Sequence, residues 1–161
     1  MWGQFAAMVG GSSAGLASLV FLVVAFRFDT IATSTEYRNR AAQVLVLFLT
    51  TTITAALVAV PQDPRLLGVE LLVAAAIAGI LLIVLDRAAR VAQTARRRWA
   101  AVAGMLFTVA SLAVAGVILG TGIESGMYAF AAAGVAALIF GVNGAWVFLT
   151  RAGVEPDASV H

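Results

Sequence analysis

The chain has 161 residues and a formal net charge of +2 at pH 7, with 62% hydrophobic and only 11% charged residues. A soluble domain of this size could not hide so much apolar surface, so the composition indicates an integral membrane protein. The lack of cysteine excludes disulfides and thiolate metal sites, and the only histidine is the last residue, His161.

Five continuous apolar stretches are each long enough to cross a bilayer, which needs about 20 helical residues. Continuous runs predict helices and exclude a membrane β-barrel, whose strands alternate with period two. No basic segment precedes the first stretch, so we interpret it as a retained span and not as a signal peptide. The fold class is therefore all-α: a five-helix transmembrane domain at residues 1–151 and a disordered cytoplasmic tail at 152–161. The predicted spans are Phe5–Phe26, Ala41–Val60, Leu66–Leu85, Ala100–Leu119 and Gly126–Leu149.

The arginines predict the orientation of these spans, because insertion machinery leaves basic loops in the cytoplasm. Arg65 lies alone on one side, and the other nine arginines lie on the opposite side. The N-terminus is therefore expected outside and the C-terminus inside. Basic residues at membrane boundaries also favour anionic lipid as a partner, and they do not form the folded basic face that nucleic acid needs. The arginines expected on lipid head groups are Arg87, Arg90, Arg96, Arg97 and Arg98.

Two glycine pairs with four-residue spacing lie in the first and fourth spans. They are Gly11 with Gly15 and Gly116 with Gly120. Such pairs let two helix backbones approach closely. The contact is either between subunits of an oligomer or, more commonly in a five-helix chain, between helices of one subunit.

Polar residues in the second span suggest a path through the membrane. Gln43, Thr50 and Thr54 share one helical face by their spacing, and Thr51 lies beside them. A hydroxyl stripe can line a wet path for an ion or small solute. Threonine in a membrane helix more often bonds the carbonyl four residues back or a neighbouring helix. Asn143 in the fifth span is a further polar candidate.

Glu70 in the third span is the most costly residue to place in the membrane, and it is a functional candidate for that reason. The Pro61–Arg65 turn makes the second and third spans antiparallel neighbours, so Glu70 and Thr54 lie at matching depths. We expect the Glu70 carboxylate to face the bundle and to meet Thr54, Thr51 or a water that they share. A carboxylate near the interface that snorkels towards water is the alternative.

No motif for catalysis occurs in the chain. Zinc-protease, nucleophile-elbow, phosphate-loop and dinucleotide signatures are all missing from the sequence. We therefore expect no enzyme activity, no cofactor and no metal site. An intramembrane enzyme acting on lipid is the weakest functional hypothesis, because no nucleophile–base set is visible.

Four short segments in the first part of the chain carry a few polar residues within a hydrophobic pattern. They are Gly15–Ser18, Ala25–Asp29, Arg40–Gln43 and Val60–Gln62. In this pattern the chain resembles small multi-span integral membrane proteins of GC-rich bacteria. The resemblance implies the bacterial inner membrane, and since that group carries no assigned activity it supplies no catalytic residues.

Two functions remain in view. The first is a small oligomeric channel or transporter-like protein for an ion or small solute, suggested by Glu70 and the threonines. The second is a non-catalytic structural or accessory protein that assembles with a membrane protein partner. A channel needs a wetted polar path, whereas an accessory protein needs only a dry core and a bare apolar or glycine-rich face.

Overall fold

The computed structural model of the protein describes residues 2–26, 35–88 and 95–152, without the side chains of residues 36, 37, 88, 95–101 and 147–152. The predicted tail at 153–161 lies outside the described residues. Within the described ranges the chain is all-helical, as predicted, and five helices are long and apolar enough to cross a membrane. They are α1 (Trp2–Phe26), α2 (Thr35–Ala59), α3 (Pro64–Ala88), α4 (Ala95–Gly120) and α5 (Gly126–Ala152).

The helices extend beyond most of the predicted spans because a helix need not stop where the hydrocarbon does. The first turns of α2 and α4 are charged, with arginine at Arg38 in one and at Arg96 in the other. Arginine and glutamate favour helix, so the backbone continues through the head-group region until the sequence or a turn interrupts it.

The second helix is central to the bundle. It packs against α1, α3 and α5, while α4 packs between α3 and α5, and α1 touches α5 only slightly. All five helices contribute to the largest cluster of buried apolar side chains, which includes Ala6, Ala55, Leu71, Leu119 and Phe130. Large apolar side chains also cover the outside, as expected for surfaces that face lipid.

The two short loops at one end of the bundle have specific turn chemistry. Asp63 precedes the Pro64 that begins α3, and its Oδ1 accepts a hydrogen bond from the N–H of Arg65 at 2.7 Å. Gly122 lies two residues after the end of α4 and has a φ of 84°, and its N–H donates to the carbonyl of Leu119 at 2.8 Å. A side chain would strain that backbone, so glycine is the residue that suits this turn.

Aromatic rings join α1 to α5 at the same end. The Trp2 ring meets Tyr128 edge to face, with centroids 5.0 Å apart, and meets Phe5 at 6.3 Å. Phe5 in turn lies 6.4 Å from Phe130. We call this end of the bundle, with the two short loops, the loop end.

Candidate functional site

Three threonine hydroxyls of α2 donate to carbonyl oxygens of their own helix, and one of them, Thr52 Oγ1, also lies 3.4 Å from the carbonyl oxygen of Gly10 in α1. Thr51 Oγ1 donates to the carbonyl of Leu47 at 2.8 Å, and Thr54 Oγ1 donates to the carbonyls of Thr50 at 2.9 Å and Thr51 at 3.2 Å. Both side chains are buried. Their protons are thus satisfied by backbone oxygen atoms, as is common for threonine in a membrane helix.

A small cavity lies among Thr50, Thr51 and Thr54 and a fourth threonine that the sequence interpretation missed. Thr108 of α4 is buried, and its hydroxyl donates to the carbonyl of Gly104 at 2.9 Å. The cavity has a volume of about 20 Å³, which is room for roughly one water molecule. Except for the threonines its walls are apolar: Leu47, Ala78, Val109, Leu112, Phe130, Ala133 and Gly134. Thr108 and Ser111 are the two hydroxyl residues of the predicted fourth span, and only the position of Thr108 opposite α2 reveals the grouping.

Glu70 makes no hydrogen bond to Thr54 or Thr51, so the expected contact with these two threonines is wrong. Its Oε2 accepts a hydrogen bond from Gln62 Nε2 at 2.8 Å, and the same nitrogen lies 3.3 Å from the carbonyl oxygen of Leu57. The reason is the direction in which Glu70 points around the axis of α3. Leu67, Leu71 and other residues at spacings of about four face the core from α3, and Glu70 lies about 100° from Leu71 around the helix.

Glu70 instead lines an open groove between α2 and α3 with a volume of about 380 Å³. Thr50 is the other polar residue in this groove, and the remaining lining is apolar. Val73 and Ile77 on its α3 side are 53% and 55% exposed, so the groove opens towards lipid and not towards the core. The other lining residues are Ile53, Leu57, Val69 and Ala74.

The remaining polar candidates lie apart from Glu70 and from each other. Gln43 is buried in α2, two turns before Thr50. Asn143 is exposed on the outer surface of α5, because Gly141 and Ala137 take the positions that face the bundle. Asn39, which the sequence interpretation missed, is buried one turn before Gln43, and its Nδ2 has no hydrogen-bond partner among the described atoms. The predicted path is thus divided among the core, the groove and the lipid-facing surface.

The two glycine pairs lie in opposite surroundings. A Cβ built on Gly116 would lie 2.8 Å from the carbonyl oxygen of Gly68, and one built on Gly68 would contact the backbone of Gly120. The second pair is therefore a close contact between α3 and α4 inside the subunit. Gly11 and Gly15 are exposed, and a Cβ on either would meet nothing within 4 Å.

The arginines expected on lipid head groups are only partly described. Arg87 is exposed in the last turn of α3. Arg90 lies outside the described residues, and Arg96, Arg97 and Arg98 belong to the start of α4 without described side chains.

In the ranges that the structure describes, no three histidine, cysteine, aspartate or glutamate side chains come together as metal ligands would. Comparisons of the chain with family models, curated proteins and solved structures gave no match.

Proposed function

We propose that the protein is a non-catalytic accessory protein of the bacterial cytoplasmic membrane, and that α1 packs against a transmembrane helix of a partner membrane protein. The main observation in its support is the exposed face of α1 that carries Gly11 and Gly15, and the cavity among the buried threonines has room for only about one water. A close contact with another membrane helix needs such a face. A subunit that conducted through its own centre would instead need a wetted interior.

The middle of the outer face of α1 is small and uncharged, and larger exposed side chains such as Met8 and Leu19 flank it. The helix contains no charged residue in 25 positions, and it is the least buried of the five spans. On this side Gly11 and Gly15 are exposed together with Ser12 and Ser18. A partner helix could approach the α1 backbone closely there, and the apolar surface of an uncharged helix matches this face.

The partner's contact is tested by filling the glycine face. The double variant Gly11→Leu, Gly15→Leu should release the partner, which native electrophoresis of gently solubilised membranes would show as a smaller complex. The matched control is Ala76→Leu, which adds a similar side chain to an exposed position of α3. A complex of unchanged size in the double variant would contradict the proposal, as would a wild-type protein that migrates as a lone chain.

The proposed topology has the N-terminus outside and the C-terminus in the cytoplasm, supported by the nine-to-one division of the arginines. Since the chain has no cysteine, single cysteines at Ser125 and Thr94 can be labelled with an impermeant thiol reagent in intact cells. Position 125 should react and position 94 should not, and the reverse pattern would show the opposite orientation.

A second candidate is the oligomeric channel, with its path between subunits. The observation that favours it is the open groove lined by Glu70 and Thr50. In that case Glu70→Gln should change ion selectivity in proteoliposome flux measurements. Equal flux through protein-containing and empty vesicles would dismiss this candidate and leave the first proposal intact.

A further inference from the structure

Glu70 has a carboxylate at the lipid-facing surface, and no cationic side chain among the described residues balances it. It makes no ion pair with any side chain that the structure describes, and Gln62 is its hydrogen-bond partner. The nearest arginine in sequence is Arg65, whose Nε would lie 3.6 Å from a Cβ built on Gly122. That arginine therefore extends towards the loop between α4 and α5. A charged group next to hydrocarbon needs a counter-charge or water.

The Glu70 carboxylate lies near one end of the helix bundle. The Glu70 backbone is six residues into α3, about 9 Å from its start. Its side chain reaches back to Gln62 in the loop, and Gln62 also bonds the Leu57 carbonyl in the last turn of α2. The Glu70 carboxylate is thus held near the loop end and not at the middle of the membrane.

Below the carboxylate the groove is long, and it is apolar except for Thr50. From Glu70 to Ile77 it extends about 10 Å along α3, with Val73 between them and Ile53 on the opposite side. A volume of about 380 Å³ that opens sideways to the bilayer has the form of a site for part of an acyl chain. Its polar end carries the Glu70 carboxylate and its walls are apolar apart from Thr50, which is complementary to a lipid with a cationic hydrogen-bond donor in its head group.

We propose that the groove between α2 and α3 binds a phospholipid with a primary ammonium head group, in the leaflet at the loop end. The ammonium donates to the Glu70 carboxylate, with Gln62 holding the other side of that carboxylate, and an acyl chain lies along Val73 and Ile77. This inference is independent of the partner at α1. It excludes an ion path along the same groove, because the lipid chain would occupy it.

Native mass spectrometry of the full chain with three lipids tests the proposal. The probes are phosphatidylethanolamine, phosphatidylglycerol and phosphatidylcholine with identical acyl chains, added in equal amounts. The wild-type protein should retain the ethanolamine lipid over both others, since the choline head group carries a positive charge but no N–H. Glu70→Gln should lower the ethanolamine-to-glycerol ratio by about fivefold, as expected for one charged hydrogen bond at an interface. The matched control is Glu124→Gln, which removes an exposed carboxylate of the other loop and should leave the ratio unchanged.

A second variant keeps the carboxylate and fills the groove. Val73→Trp enlarges an exposed side chain in the groove, so it should reduce retention of the ethanolamine lipid without lowering thermal stability. Equal lipid ratios in the wild type and Glu70→Gln would overturn the proposal. So would undiminished ethanolamine-lipid retention by Val73→Trp, or a wild-type preference for phosphatidylglycerol.

Discussion

The two glycine pairs have the same spacing and opposite surroundings. Gly116 and Gly120 lie against Gly68, where the backbones of α3 and α4 come into contact, while Gly11 and Gly15 face outward from α1. In the first pair a neighbour in the same chain requires the missing side chain of Gly116, whereas a Cβ on Gly120 would meet nothing within 4 Å and only the Gly120 backbone touches α3. In the second pair no described residue requires the missing side chain. A glycine pair therefore permits a close helix contact without saying which helix makes it.

The largest effect on stability is expected at Gly116, where α3 and α4 are in contact. Gly116→Leu places a Cβ 2.8 Å from the Gly68 carbonyl oxygen, and α3 and α4 must separate to admit the side chain. We expect a loss of about 3 kcal/mol in the free energy of unfolding, since overpacking between rigid backbones costs that much or more. Denaturant titration of the purified protein in mixed micelles measures it. A loss below about 0.5 kcal/mol would mean that the contact between α3 and α4 is not tight.

An intermediate effect on stability is expected in the threonine cavity. Thr54→Val replaces a buried hydroxyl that donates to its own helix with a methyl group of similar size. The loss should be about 1 kcal/mol or less, because the acceptor carbonyls keep their helical partners. The control is Thr121→Val, whose hydroxyl donates to the Ile118 carbonyl at an exposed position. A hydrated polar path would instead make Thr54→Val alter solute flux, which liposome assays would detect.

The smallest effect on stability is expected at the exposed pair, although the effect on assembly is large. Gly15 is exposed, and a Cβ built on it meets no described atom within 4 Å, so Gly15→Leu should change the free energy of unfolding by no more than about 0.5 kcal/mol. Leucine also favours helix over glycine, which offsets any small loss. A destabilisation like that of Gly116→Leu would show that the α1 face is buried within the subunit after all.

The five helices could be predicted from the sequence because long apolar runs specify helices in lipid. Their turns could also be predicted, since Pro61 and Pro64 interrupt one apolar run and Gly120 and Gly122 follow another. These signals are local. Each depends on residues that are neighbours in the chain.

The arrangement of the candidate site could not be predicted in the same way. The depth of a residue in the membrane follows from counting residues from the Pro61–Arg65 turn, and this count predicted matching depths for Glu70 and Thr54. Rotation about the helix axis depends on which side of α3 packs against α2 and α4. Leu71 faces the core, so its neighbour Glu70 lies at the groove, where it accepts a hydrogen bond from Gln62 of the loop. A difference of one residue in the sequence thus decides between core and lipid.

Photocrosslinking in the native membrane compares the outer surfaces of α1 and α3 directly. A photoreactive amino acid at Ser12, beside the exposed glycines, should give an adduct with a different membrane protein. The same amino acid at Ala76 on α3 should give none, and the Ser12 adduct should disappear in the Gly11→Leu, Gly15→Leu variant. The absence of an adduct at Ser12, or an adduct containing only two copies of this chain, would contradict a partner helix on α1.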